Sequence, residues 1–454
     1  MIHPVLERVY IAIILLAYLL LRKQPVDKED RRQYRNGFVI IEFFLFFSIF
    51  DNFLAVNLFG FAIKLQYLFL LIYFLITSKF SFKIGSNTDQ HSFRGIYLSL
   101  VSIFLLQILS SLWMTHVLGV HVRFILIFIQ LSIIFILYSL LKRPGSKEIL
   151  LENITLIGVI SCVVGILEFL IQKFTGIKIP YPVVTRIVGE THPELLSRAF
   201  GFLFEPNWYG FSLMMFFFVY LIKAKKVDFG VVAIFGLAQM ASGNKITLLA
   251  YLFCILWMVF RGKSLGSPMA KVLGIVFLVL FGVLITQVDL FKNILLDRFL
   301  VTITVFQEKS LEYIFNSYDR FAFIWYLAQG FIEKPWFGHG LNASLIIHHQ
   351  LPWKELPISE IKGNMIAGSG VFRILFEQGI VGALFVIYFC RRLIKDTFKK
   401  KEAWLFLICF FMMTLFYDIW TGLHSIPIVF IVPLLFCLES KEFKSKDGKI
   451  SHTN

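Results

Sequence analysis

Apolar runs of membrane-crossing length recur along the chain, separated by short basic segments, and this pattern leaves few folds open. A helix crossing the hydrocarbon core needs about 20 apolar residues. Hydrophobic residues fill 58% of the 454 positions, enough for about 13 such crossings. Charged residues make up only 16%, against about 25% in a soluble domain. That balance excludes a soluble globular fold, a disordered chain and a fibrous repeat. The expected fold is all-α, a polytopic integral membrane protein with about 12–14 transmembrane helices.

The spans fall near 5–21, 37–54, 60–77, 95–114, 122–141, 149–171, 207–222, 229–242, 246–260, 272–290, 369–389, 403–420 and 424–438. The run Val9–Leu21 is followed by a basic segment rather than a small-residue cleavage site, so it reads as the first span. Basic groups punctuate the runs, among them Arg22, Lys23, Lys28, Arg31, Arg32 and Arg35, then Lys223, Lys225 and Lys226, then Arg391, Arg392 and Lys395. Loops that stay in the cytoplasm carry such an excess. The charge therefore orients the chain and does not point to nucleic acid. The C-terminus is expected in the cytoplasm and the N-terminus outside. Cys162, Cys254, Cys390, Cys409 and Cys437 all lie in apolar runs with no Cys-x-x-Cys spacing, so they read as small buried hydrophobes.

Two long segments interrupt the hairpins on the non-cytoplasmic side. The organisation is N-terminal transmembrane helices over 1–171, a first outer loop over 172–206, central transmembrane helices over 207–290, a large outer loop over 291–368, and C-terminal transmembrane helices with a basic cytoplasmic tail over 369–454. Pro180, Pro182, Pro193 and Pro206 forbid a continuous helix in the first loop. In the second, Asp319 opens a stretch of helical spacing that ends near Pro335, ahead of a Gly338–Gly340 turn; it reads as a helix on the membrane surface. Long loops in compact proteins are usually functional or disordered. The aromatic content here, with Trp208, Trp336 and Trp353, argues against disorder.

Positive charges on the outer side run against the usual bias and are the informative ones. Arg186 and Arg198 lie in the first outer segment, Arg298 and Arg320 in the second, Lys245 at an outer hairpin tip, and Arg373 just inside a span. Singly, each is explained by snorkelling to headgroups or by a local ion pair. Together they suggest a basic cavity facing outward, suited to an anion and, through the planar fork of arginine, to phosphate. No metal-ligand spacing of His, Cys and carboxylates is present. Nor is there an Asp-x-Asp pair, and Gly262-Lys263-Ser264 lacks the preceding glycine of a phosphate-binding loop because Trp257 stands there. No cofactor is implied.

Three motifs stand out: Arg198-Ala-Phe-Gly-Phe-Leu-Phe-Glu205-Pro206-Asn207-Trp208-Tyr209-Gly210, the run from Arg320 through Pro335-Trp336-Phe337-Gly338-His339-Gly340-Leu341-Asn342, and Asn364-Met-Ile-Ala-Gly-Ser-Gly370-Val-Phe-Arg373-Ile-Leu-Phe-Glu377-Gln378-Gly379-Ile380-Val381-Gly382. Their order resembles the O-antigen polymerase and O-antigen ligase superfamily of bacterial envelope glycosyltransferases. The resemblance covers mainly residues 186–385. Glu205-Pro206 looks more like the polymerases. Ligases typically carry a His-Asn pair late in the large loop, whereas here Gly363 precedes Asn364 and His348-His349 lie well upstream.

The resemblance implies an enzyme in the bacterial cytoplasmic membrane, active at its outer face without metal or nucleotide sugar. Its substrate would be an undecaprenyl-diphosphate-linked oligosaccharide, its surroundings the lipid bilayer, and a chain-length regulator a candidate partner. Arg198 and Arg320 would stabilise the departing diphosphate. Glu205, and after it His348, would serve as general base. Arg186, Asn207, Lys245, Arg298, Arg373 and Glu377 would bind substrate. A ligase acting on lipid A-core and a flippase for lipid-linked oligosaccharide remain the alternatives. A flippase would favour internal repeats and midplane ionisable residues, whereas Glu42, Asp51, Lys64 and Glu168 are scattered without symmetry.

Overall fold

A computed structural model gives the fold. It describes residues 4–23, 32–48, 55–58, 61–64, 146–176, 198–199, 201, 206–224, 227–261, 319–340, 369–396 and 400–416, with isolated positions elsewhere. Among these the protein is helical, and its helices fall into two compact units. The first holds α1 (Pro4–Leu21), α2 (Arg32–Ser48), α3 (Ser146–Thr175), α4 (Pro206–Lys223), α5 (Phe229–Ser242) and α6 (Lys245–Arg261). The second holds α7 (Asp319–Glu333), α8 (Gly370–Asp396) and α9 (Lys400–Phe416).

Among the described residues, two helices are long and apolar enough to cross a membrane, Glu148–Thr175 within α3 and Gly370–Lys395 within α8. Tyr10–Leu21, Phe229–Ser242 and Lys245–Val259 are apolar but shorter. The helix positions follow the apolar runs closely, and the helix expected from Asp319 to the Pro335 region is present as α7. One expectation is corrected. The span placed at 60–77 opens in a strand: β1 (Ala55–Leu58) pairs antiparallel with β2 (Phe61–Lys64), Leu58 opposite Phe61 and Ala55 opposite Lys64. Only Phe59-Gly60 separates the strands, a connection of hairpin length with a glycine. The apolar run around it hid it, since a strand and a helix segment look alike over so few residues.

Glycines on α3 decide how the first unit packs. A Cβ on Gly158 would lie 2.7 Å from Phe216 Cβ, and one on Gly165 would lie 2.0 Å from the Tyr209 hydroxyl. Gly158 and Gly165 are two turns apart on one face, as are Tyr209 and Phe216 on α4 in reverse order, so the helices run antiparallel in close approach. Tyr209 is fully buried and donates its hydroxyl to the Ser161 carbonyl at 2.8 Å. Phe217, one position on, meets Phe235 of α5 and Tyr251 of α6 at ring separations of 5.4 and 5.0 Å. Asp228 caps α5 by accepting from the Gly230 amide at 2.7 Å, and Gly243 ends it in the left-handed conformation.

At the other end of α3 a buried carboxylate joins three helices. Glu42 of α2 pairs with Arg22 at 2.5 Å, accepts from the Tyr18 hydroxyl at 3.2 Å, and accepts from the Asn153 side chain. Asn153 exchanges two 2.9 Å bonds with the Lys23 backbone. Glu152 beside it pairs with Lys23 at 2.6 Å and with Lys223 at 3.8 Å. Breaking a buried pair by removing one partner costs about 3–5 kcal/mol, because the remaining charge has no counter-ion. Arg22→Ala is expected to destabilise the detergent-solubilised protein by about that amount, and the joint change Arg22→Met, Glu42→Leu far less. Unfolding titrations of the two variants check the order.

Candidate functional site

In the first unit, Ala199 and Asn207 of the first motif bond to one end of the α5–α6 hairpin. Pro206 and Asn207 open α4, where a fixed proline φ suits the first turn. The Arg198–Gly201 stretch is pinned at two points. The Ala199 amide donates to the Ala241 carbonyl at 2.9 Å, and the Gly201 amide donates to Glu168 Oε2 at 2.8 Å. Gly201 has φ +53°, and a Cβ there would meet the Tyr209 ring at 2.2 Å, so only glycine fits. The Arg-x-x-Gly spacing thus has a physical reason: the glycine lets the chain turn across a buried tyrosine while the arginine stays half-buried at its edge.

The hairpin tip carries a hydrogen-bonded amide network. Asn244 caps α6, its Oδ1 accepting from the amides of Ile246 at 3.1 Å and Thr247 at 3.3 Å, while its Nδ2 donates to the Asn207 carbonyl at 3.2 Å. Gln239 donates to the Gly210 carbonyl at 2.9 Å and accepts from the Thr247 hydroxyl at 2.8 Å. A Cβ on Gly210 would lie 2.5 Å from Thr247 Oγ1. Lys245 follows Asn244 directly and is half-buried. Arg198, Asn207 and Lys245 are therefore tied to neighbouring backbone: Ala199 to Ala241, Asn207 to Asn244.

In the second unit, the second and third motifs form one interlocked element. Inside α8, Gly379 adopts φ 64° and ψ −161°, which splits the helix into two halves. The Pro335–Gly340 turn seats in the break. The amides of His339 and Gly340 donate to the carbonyls of Phe376 and Glu377 at 2.8 and 2.9 Å. Those of Ile380 and Val381 donate to the carbonyls of Pro335 and Trp336 at 2.8 and 3.2 Å. Gly338 (φ +69°) and Gly379 face each other's chain: a Cβ on the first would lie 2.4 Å from the Glu377 carbonyl carbon, and one on the second 2.4 Å from that of Trp336.

His339 stacks on Phe376 at 4.5 Å, and its Nε2 lies 2.7 Å from the Gly330 carbonyl, so that nitrogen carries the proton. A Cβ on Gly330 would overlap the Phe376 ring at 2.1 Å. Arg373 and Glu377 pair at 2.8 Å one turn before the break, both buried. Ser369 starts α8, its carbonyl accepting from the Arg373 amide at 3.0 Å and its hydroxyl from the Phe372 amide at 3.4 Å.

Of the residues proposed from sequence, Arg198, Asn207 and Lys245 lie in the first unit, and Arg373 and Glu377 in the second. Arg320 lies in the first turn of α7. Arg186, Glu205, Arg298 and His348 lie outside the described residues. Sequence reasoning passed over Glu168, Gln239, Thr247 and His339. Their signal was weak, because a polar residue in an apolar run declares itself only through partners distant in sequence. Among the described residues no cluster of three or more His, Cys, Asp or Glu could hold a metal ion. A scan against models of protein families finds no match to the chain, and a search of curated proteins finds none either.

Gly338→Ala and Gly379→Ala are each expected to release the turn, since left-handed strain alone costs about 1–3 kcal/mol before the backbone overlap is counted. Gly176, with φ +65° and open space around it, isolates the strain from the overlap when changed to alanine. Faster amide exchange at His339, Gly340, Ile380 and Val381 in the first two variants only is the expected readout.

Burial holds the His339 pKa below the usual imidazole value, and the nearby Lys334 pushes the same way; the Gly330 carbonyl and Glu333 oppose them. The fold therefore excludes the proton that the unfolded chain takes up. The contribution of His339 to stability is full above about pH 6.5 and is lost as the pH falls below it. Exchange at His339 and Gly340, corrected for its intrinsic pH dependence, is expected to accelerate between pH 7.5 and 5.5, at roughly one unit either side of that value.

Proposed function

We propose that the chain is a multi-pass protein of the bacterial cytoplasmic membrane with about 12–14 crossings, and that it polymerises lipid-linked glycan at the outer face. The donor is a growing glycan on undecaprenyl diphosphate, and the acceptor is a sugar hydroxyl on a fresh lipid-linked repeat unit. The acceptor oxygen bonds to the anomeric carbon as the bond from that carbon to the diphosphate oxygen breaks. The hydroxyl proton passes to a base, for which Glu205 is the first choice and His348 the second. The electron pair leaves with the undecaprenyl diphosphate, where guanidinium groups offset the developing charge. Arg198 and Arg320 are assigned that work, with Arg186, Arg298 and Lys245 in support.

The observation that carries this reading is the interlock at Gly379. The Pro-x-x-Gly-x-Gly and Glu-x-Gly-Ile-x-Gly segments are among those on which the resemblance to the polymerases and ligases rests, and they are built against each other through reciprocal backbone bonds. Gly338 and Gly379 are required by contacts within 2.6 Å, so the motif spacing is not an accident of an apolar composition. The Arg198 segment adds a second match, its Gly201 fixed under Tyr209.

Arg373 and Glu377 neutralise each other across 2.8 Å in a buried setting. In this reading their work is to hold the first half of α8 in place beside the turn rather than to face the diphosphate.

Arg198→Ala and Arg320→Ala, tested separately, are expected to leave the protein in the membrane and to lower glycan polymerisation by about 100-fold or more, the scale of losing one preorganised electrostatic contact. Gel separation of the products then shows single repeat units in place of long chains. Deleting the gene separates polymerase from ligase: one repeat unit on the acceptor for the first, none for the second. Normal chain lengths in both arginine variants would remove the electrostatic basis of the reading.

A further inference from the structure

An acidic side chain deep in an apolar helix requires a partner, and in a chain of this kind it marks a working site. Glu168 is such a residue. It lies on α3 within the membrane-crossing stretch Glu148–Thr175, and it is 2% exposed. Its Oε2 accepts from the Gly201 amide at 2.8 Å, and Gln172 one turn on donates to Oε1 at 3.4 Å. Gly201 belongs to the Arg198 motif and follows Arg198 by three residues, so at most about 11 Å of extended chain separates their Cα atoms. The second pin, from the Ala199 amide to the Ala241 carbonyl, lies between them. Among the described residues, a side-chain bond to α3 and a backbone bond to the end of α5 hold the stretch. Of these only the Glu168 bond depends on side-chain chemistry.

We infer that Glu168 is a positioning residue for Arg198: by accepting the Gly201 amide it fixes the backbone turn that carries the guanidinium. The inference rests on the glycan-transfer reading for its functional consequence and on the geometry alone for its structural one. Three features support it. The bond joins a buried carboxylate to a backbone amide, a charge-assisted type stronger than a neutral bond. The Tyr209 ring, 2.2 Å from where a Cβ at position 201 would sit, leaves room there for glycine alone, so the turn that Glu168 holds has no side chain of its own to fix it. Finally, Tyr209 is itself held by Ser161 on the same helix as Glu168, so α3 supports both the ring and the turn above it. Glu168 works through Arg198 and does not itself touch substrate in this scheme.

The test uses the full chain in native membranes and two substitutions of similar volume. Glu168→Gln keeps an acceptor for the Gly201 amide; Glu168→Met removes it while filling the same space. Position 198 is read directly by labelling Arg198→Cys with a water-soluble maleimide in a chain whose five cysteines are replaced by alanine. Lys245→Cys in the same background serves as the reference position. Glycan chain length is read separately in chains that retain Arg198.

Glu168→Met is expected to change the labelling rate at 198 by about tenfold, the equivalent of one hydrogen bond to a charged group, to leave the rate at 245 unaltered, and to shorten the glycan. Glu168→Gln, which keeps the acceptor without its charge, is expected to bring both readouts back to within about threefold, since a neutral bond is about half as strong. An unchanged rate at 198 in Glu168→Met overturns the inference, and so does an equal change at 198 and 245, which would mean general loosening of the unit. If the rate at 198 alone shifts but glycan length does not depend on Arg198, the positioning holds and the glycan-transfer reading is what fails.

Discussion

A helix interrupted inside an apolar environment has to hand its orphaned amides and carbonyls to other polar groups, because no water is there to take them. The break in α8 meets that requirement with a turn from elsewhere in the chain. Phe376 and Glu377 lose helical donors and gain the amides of His339 and Gly340; Ile380 and Val381 lose acceptors and gain the carbonyls of Pro335 and Trp336. The rest of the second unit follows from this exchange. Backbone can approach backbone so closely only where Gly338 and Gly379 stand. Gly330 must be bare so that Phe376 can lie over α7, and His339 can then cover the same ring from the turn.

The first unit solves a related problem with side chains. Tyr209 is large and polar at one end, and burying it requires both room and an acceptor. Gly165 and Gly201 give the room and Ser161 gives the acceptor. Gln239 satisfies a backbone carbonyl of α4 and a hydroxyl of α6 at once, binding three helices through one amide. Such bonds are worth roughly 1 kcal/mol each within membranes, so their value lies more in fixing one arrangement than in raw stability.

Much of this was legible in the sequence, and the exceptions have physical causes. Apolar runs placed α1, α3, α4, α5 and α6 to within a few residues, because burial in lipid or in protein demands the same run of side chains. The glycine-rich motifs could be recognised, but not that they interlock: nothing local distinguishes Gly379, whose amide neighbours bond to Pro335 and Trp336, from a small residue in a continuous helix. Glu42 and Glu168 looked scattered because Arg22, Asn153 and Gly201 approach them only after folding. The ribbon over Ala55–Lys64 was hidden inside what read as membrane-crossing sequence. Arg198 and Lys245 were picked out by their charge in otherwise apolar surroundings, which is a signal that sequence carries well.

The division of α8 also changes how much bilayer the helix is able to traverse. Past the break, the apolar stretch Ile380–Cys390, which ends at Arg391 and Arg392, extends about 16 Å at the usual rise per residue, whereas a hydrocarbon core is about 30 Å thick. In a bilayer, with those arginines at the cytoplasmic interface, the notch at Gly379 would accordingly sit near mid-depth. Trp336 and Phe337, 64% and 54% exposed on the seated turn, would carry their apolar faces to that depth. The turn would then be a re-entrant plug, a piece of the outer loop that dips into the membrane to complete a broken helix.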